Sequence, residues 1–296
     1  MDKTLIFKVD GVEHEIELDD THAPKTLAKV LASTPATIDI HCAKIAGSHI
    51  MWPVPFVERA ESAADVLDMQ PGSFFFWPER QYLEITYDAL QAETASVSYL
   101  GRLKHGAEWL RAYAERQRRE QGRAVFTAEL YLRDGAPPAP TPGTGGSDGL
   151  RRIRDARLAA WERAPADVDA LLARRGLNIP YGPLSMAEGE LRKLHELLWR
   201  LWNQEGRRSD AEKATIAAFV LEAAITRVGG FCHMLDTAGV LQSGIECLKA
   251  GADGVDDVLV ELILFSGRMA AWLDLHICWW PINELTLDAL KTRNGS

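Results

Sequence analysis

A surplus of positive charge is the first thing this chain lacks. Its 33 Lys and Arg stand against 42 Asp and Glu, a formal net charge of −9. Phosphate binding needs clustered Lys and Arg, so a nucleic-acid surface is excluded as the main role. The Arg-rich stretch 102–123 interleaves with Glu108, Glu115 and Glu120 at helical spacings and reads as a solvated, ion-paired helix face. Cysteine is scarce and scattered: Cys42, Cys232, Cys247 and Cys278 never form a C-x-x-C pair, which removes zinc knuckles and redox pairs and predicts a reduced, cytoplasmic setting. Residues 1–10 carry charges every few positions and no apolar h-region, so no export signal is expected. The apolar stretch 262–282 is broken by Arg268, Asp274 and His276, which suits a buried bundle helix and not a membrane span. No H-x-x-x-H or H-x-x-E-H spacing points to a metal, and no G-x-G-x-x-G stands between strand and helix to hold a nicotinamide.

What the chain does have is 296 residues, 47% hydrophobic and 25% charged, enough for two ordinary domains with buried cores. Leu5, Phe7 and Val9, a turn at Asp10-Gly11, then Val12, His14, Ile16 and Leu18 alternate with period two and predict a β-hairpin. A short amphipathic helix over 23–33 follows. Strand character resumes at 37–50, 72–77 and 82–87, each bounded by Pro or Gly, and this density of short strands indicates a barrel or sandwich. Residues 99–121 read as one long helix and 125–132 as a returning strand. The segment 134–149, rich in Pro and Gly, reads as a mobile spacer between a barrel domain over 1–133 and a helical bundle over 150–296. In the second half helices are expected over 149–174, from the capping box Ser185-x-x-Glu188, from the box Ser209-x-x-Glu212 to the stop at Gly229-Gly230, and over 234–250 and 255–279. The Trp- and Leu-rich character of this half predicts a homodimer. The expected class is thus α+β, a closed barrel followed by an all-α bundle.

Three runs resemble a known fold: Gly47-Ser-His49-Ile-Met-Trp52-Pro-Val-Pro-Phe56, Val66-Leu-Asp-Met-Gln-Pro-Gly72-Ser-Phe-Phe-Phe-Trp77-Pro78, and Tyr82-Leu-Glu84-Ile-Thr-Tyr87. They are similar to the cyclophilin-like barrel of small bacterial proteins over about residues 4–87. With a helical second half containing Leu191-Arg-Lys-Leu-His195-Glu-Leu-Leu-Trp199, the chain resembles the cucumopine synthase and cyclophilin-like Pictet-Spenglerase family. The Arg followed five residues later by Phe that marks prolyl isomerases is missing, which excludes that activity. The resemblance implies condensation of an aromatic amino acid, of the tryptophan or histidine type, with a 2-oxo acid such as 2-oxoglutarate or an aldehyde. An iminium forms and closes a fused tetrahydropyridine ring. Such a reaction asks for one acid/base group, an aromatic cage and a basic partner for a carboxylate, and needs no cofactor.

Strand parity puts Leu83, Ile85 and Tyr87 inside the barrel and Tyr82, Glu84 and Thr86 outside. Glu84, once covered by the helical half, is expected to hold its proton near neutrality and to shuttle it; otherwise it is an ordinary strand carboxylate. His49 suits acid/base exchange and His41 shares its parity, though either also reads as a structural histidine. Trp52 and Trp77, beside prolines at strand ends, are expected to rim a pocket with Phe56 and Tyr82, against the default of core packing. Arg80 and, at the start of the long helix, Arg102 are the candidate carboxylate partners. In the helical half, His195 (four before Trp199) and His233 are candidates against a core-satisfied or capping role. A second reading keeps the barrel as a non-catalytic binding module for a small molecule or peptide, with the helices for oligomerisation.

Overall fold

The computed structural model describes residues 4–44, 47–90, 95–133, 135, 145–173, 181–204 and 206–294. The described residues of Met1–Val54, Ala60–Pro140 and Leu275–Ser296 form one compact unit, and those of Pro55–Arg59 and Thr141–Asp274 a second.

The first unit is a closed antiparallel barrel. Strands β1 (Thr4–Val9) and β2 (Val12–Leu18) make the expected hairpin, with Asp10 and Gly11 both at positive φ in its two-residue turn. Helix α1 (Pro24–Ala32) follows, then β3 (Ala36–Cys42), β4 (His49–Pro53), the short β5 (Ala64–Asp65), β6 (Ser73–Trp77), β7 (Tyr82–Thr86), β8 (Ser96–Leu103), helix α2 (Glu108–Glu120) and β9 (Phe126–Leu132). Neighbours run β2-β1-β9-β3-β4-β7-β6-β8, and β2 pairs back to β8, so among the described residues eight strands close on themselves and β5 hangs on β8. Closure rests on Gly101. Its φ is +147°, and a Cβ there would stand 2.1 Å from the Glu17 carbonyl oxygen, so only glycine lets β8 meet β2. Inside, Trp52 stacks between Phe7 and Phe74 at 5.5 and 6.1 Å, and Trp109 of α2 packs 6.3 Å from Phe7.

The single helix expected over 99–121 is two elements. Val97, Leu100 and Leu103 are buried strand residues of β8, and the chain turns through Gly106 at positive φ before α2 begins. Residues 37–50 are likewise two strands, β3 and β4.

The second unit is helical: α3 (Asp148–Glu162), α4 (Ala166–Leu172), α5 (Tyr181–Trp202), α6 (Asp210–Ile225), a π turn over Thr226–Phe231, α7 (Leu235–Ala250) and α8 (Val255–Leu275). The helix foreseen over 149–174 breaks before Pro165, and α5 is already helical at Tyr181, ahead of the capping box read at Ser185. The capping box Ser209/Glu212 forms as read. Most of the spacer expected at 134–149 lies outside the described residues, though Ser147 already caps α3. The helix α8 is buried over almost its whole length, and its Arg268 lies 4.1 Å over the Trp272 ring and donates to the Ala160 carbonyl. The run Asp210–Phe231 is long and apolar enough to cross a membrane by length and composition alone, and α6 packs against α5 and α7. A last helix, α9 (Trp279–Asn294), belongs to the barrel unit, so the helical domain expected to run to 296 ends near Asp274.

Candidate active site

The register decides which side chains meet. In the β4–β7 ladder His49 stands opposite Thr86 and Met51 opposite Glu84, and in β3–β4 His41 stands opposite Met51. These residues, with Tyr82 and Phe75, share the face of the strands turned away from the Trp52–Phe74 interior. Glu84 therefore leaves the barrel wall as its parity predicts, and His41 and His49 keep the same parity.

This outer face is dry. Glu84 and Thr86 are fully buried, and His41, His49 and Tyr82 are about as inaccessible. His49 Nδ1 lies 3.5 Å from Glu84 Oε2, and Tyr82 stacks on His41 at 5.8 Å. Burial, reinforced by the positive charges of Arg80, Lys44 and Arg118, pushes the His49 imidazole down to about 3, so it is neutral at ordinary pH. The positive charges of Arg80, Lys44 and Arg118 thus all act on the His49 ring, while the Glu84 carboxyl beside it is fully buried.

Several expected site residues stand elsewhere. Trp52 is no rim residue: strand parity turns it into the barrel interior, where it is 1% exposed. Trp77 packs in a satellite core with Val66, Met69, Phe75, Leu90 and Val97, and Arg80 lies 5.0 Å over its ring. Arg102 sits in β8 opposite Glu17, exposed, and not at a helix start. Phe56 is partly buried in the segment assigned to the helical unit. His195 is core-satisfied: its Nδ1 lies 2.9 Å from the Ile263 carbonyl, and Gly267 leaves room for the ring. His233 is exposed, in left-handed backbone at the end of the π turn.

Two residues not singled out in the sequence, Arg118 and Trp280, stand beside this corner. Arg118 donates to the Tyr87 hydroxyl at 2.6 Å and stacks on the Trp280 ring at 4.4 Å. Trp280 is pinned in turn by Nε1 donating to the Ala43 carbonyl and by its backbone N–H donating to Gln121. A signal was present in the stripe Tyr113, Gln117, Gln121, four apart, whose two glutamines are buried polar groups on the inner side of α2.

This combination of a closed barrel with appended helices is shared with a solved structure, that of McbB in complex with tryptophan, at a TM-score of 0.77 and 15% identity over 95% of this chain and 99% of that one. At that identity the likeness establishes the fold. A hypothetical protein from Archaeoglobus fulgidus aligns over 44% of this chain at 18% identity and a TM-score of 0.34, too low to bear on the fold. No protein-family model matches the chain, and no curated protein matches it by sequence.

Proposed function

We propose that the protein is a Pictet-Spenglerase that joins an aromatic amino acid of the tryptophan or histidine type to a 2-oxo acid or aldehyde. The observation that carries this reading is the buried His49–Glu84 pair on an aromatic, electropositive face of the barrel. Its fold is that of a protein solved with tryptophan bound.

The chemistry divides among residues by what each can hold. A neutral imidazole at the foot of β4 is too weak a base to keep a proton, so His49 orients the neighbouring carboxyl group and Glu84 carries the proton. Glu84 takes a proton from the substrate ammonium, and the amine adds to the carbonyl to give a carbinolamine. Returning that proton to the hydroxyl expels water and leaves the iminium. The electron-rich ring carbon attacks the iminium carbon, and Glu84 removes the ring proton to restore aromaticity. The balance is one amine plus one carbonyl giving one ring product and one water. Tyr82 and His41 supply a flat aromatic wall beside the developing cation.

Incubation of the purified protein with L-tryptophan or L-histidine and a panel of 2-oxo acids and aldehydes tests this by mass spectrometry. A product lighter by one water than its two reactants is expected. Glu84→Gln should lower its rate by about 10²–10⁴-fold, the usual worth of a positioned acid/base group, while leaving the fold intact. Ligand-dependent thermal stabilisation without any such product, equal in the wild type and Glu84→Gln, would instead support a binding module.

A further inference from the structure

The arginines of α2 are not equivalent. Arg111 pairs with Asp88 and Arg116 with Asp10, each an ion pair with a carboxylate from another element. Arg118 has no such partner among the described residues. Its terminal nitrogen donates to the Tyr87 hydroxyl, and its Nε is buried with no hydrogen-bond partner among the described residues. Tyr87 is neutral, because burial pushes its phenol up from the ordinary value. The other neighbour is the face of Trp280, which attracts the cation without neutralising it. A partly buried guanidinium held between a phenol and an indole is thus fixed in orientation, with its charge unmatched.

The fixing is elaborate for a residue without a carboxylate partner among the described residues. The chain returns from the helical unit in α9 to place Trp280, and two hydrogen bonds, to Ala43 at 3.1 Å and from the backbone to Gln121 at 3.0 Å, hold the indole where it stacks. Ala43 follows β3, which pairs with the strand that carries His49, and the Arg118 charge already weighs on the His49 ring. A planar, rigidly presented fork of donors suits a carboxylate, which it can bind through two parallel hydrogen bonds.

We propose that Arg118 anchors the substrate's carboxylate, so that the protein selects an amino acid over the corresponding decarboxylated amine. This rests on the Pictet-Spenglerase reading of the same corner and names the group that reads the substrate's acid end. Arg80 and Arg102, the arginines expected for this task, are placed over Trp77 and in an exposed strand position instead.

The test compares binding of L-tryptophan, tryptamine and indole-3-propionate to the wild type, Arg118→Gln, Arg118→Lys and Tyr87→Phe, by calorimetry on the full-length protein. The wild type should bind both carboxylates more tightly than tryptamine. Arg118→Gln should weaken both by about 10- to 100-fold, the worth of one charge-assisted contact, and leave tryptamine within about twofold. Arg118→Lys should fall between, because it keeps the charge and loses the fork. Tyr87→Phe, which frees the guanidinium without removing it, should shift the carboxylates in the same direction by less, and it reports even if Arg118→Gln fails to fold. Equal weakening of all three ligands, or none, overturns the anchor. So does a wild type that binds neither carboxylate. If indole-3-propionate binds through Arg118 but no amine gives product with any carbonyl, the anchor stands and the Pictet-Spenglerase reading falls.

Discussion

Lowering the pH should unfold the barrel through His49 in a way a single substitution can isolate. The imidazole titrates near 6.5 when unfolded and at about 3 in the native protein, because burial and the charges of Arg80, Lys44 and Arg118 all disfavour its cation. Above pH 6.5 it is neutral in both states and has no pH-dependent effect. Between 6.5 and 3 the unfolded chain binds a proton that the folded chain refuses, so stability falls as the pH falls, by about 1.4 kcal/mol per pH unit. From pH 6.5 to 5 the loss is about 2 kcal/mol, and the whole window is worth about 5 kcal/mol at most. The assay is denaturant unfolding of wild type and His49→Gln, followed by tryptophan fluorescence at pH 7.5, 6, 5 and 4.5. Taking the difference between the two proteins cancels every carboxylate that titrates in both. The wild type should lose stability relative to His49→Gln steadily below pH 6.5, with the difference constant above it. Parallel curves across the range would show that the imidazole is solvated or charged in the native state, and the role given to it beside Glu84 would fall with that.

Two further outcomes test the frame that holds the site. Gly101→Ala places a methyl against the Glu17 carbonyl in a backbone conformation that side chains avoid, so the β2–β8 seam should open; a loss of about 2 kcal/mol or more, with faster amide exchange at Glu17 to Asp19, is expected. In the helical unit Glu261 accepts from Arg154 at 2.9 Å and Arg157 at 2.7 Å, and Glu261→Ala takes this carboxylate from two arginines that are largely buried. It should cost about 3–5 kcal/mol of bundle stability, read from the helical circular-dichroism transition, whereas an exposed pair would cost under about 1.

The barrel was legible because its information is local. Period-two alternation and Gly- or Pro-bounded strands identify β1, β2, β6, β7 and β9 almost to the residue, and parity alone sends Glu84 out of the wall. The failure at 99–121 has an equally local cause: Tyr99 to Leu103 carry residues that serve either structure, and the decision falls to the pairing of β8 with both β6 and β2, more than 80 residues away in the second case. Capping chemistry located α6 through Ser209, while at α5 a capping-like Ser185 lies inside a helix already formed at Tyr181.

The site was half legible for a related reason. Glu84, His49 and Tyr82 come together because consecutive strands pair in register, which a sequence displays. The same parity sends Trp52 inward to Phe7 and Phe74 despite the proline beside it, and puts Trp77 opposite Tyr82 on the outer face, where it packs in a satellite core. Arg118 belongs to another category. Its neighbours in sequence, Glu115 and Glu120, make it look like one more member of a solvated face, and what distinguishes it is Trp280, 162 positions along the chain and reached only when α9 comes back from the helical unit. Loss of that distant indole should therefore act on the substrate's acid end and spare the His49–Glu84 pair. In the proposed mechanism the proton carrier and its histidine come from adjacent strands, whereas the proposed carboxylate anchor depends on the last helix of the chain.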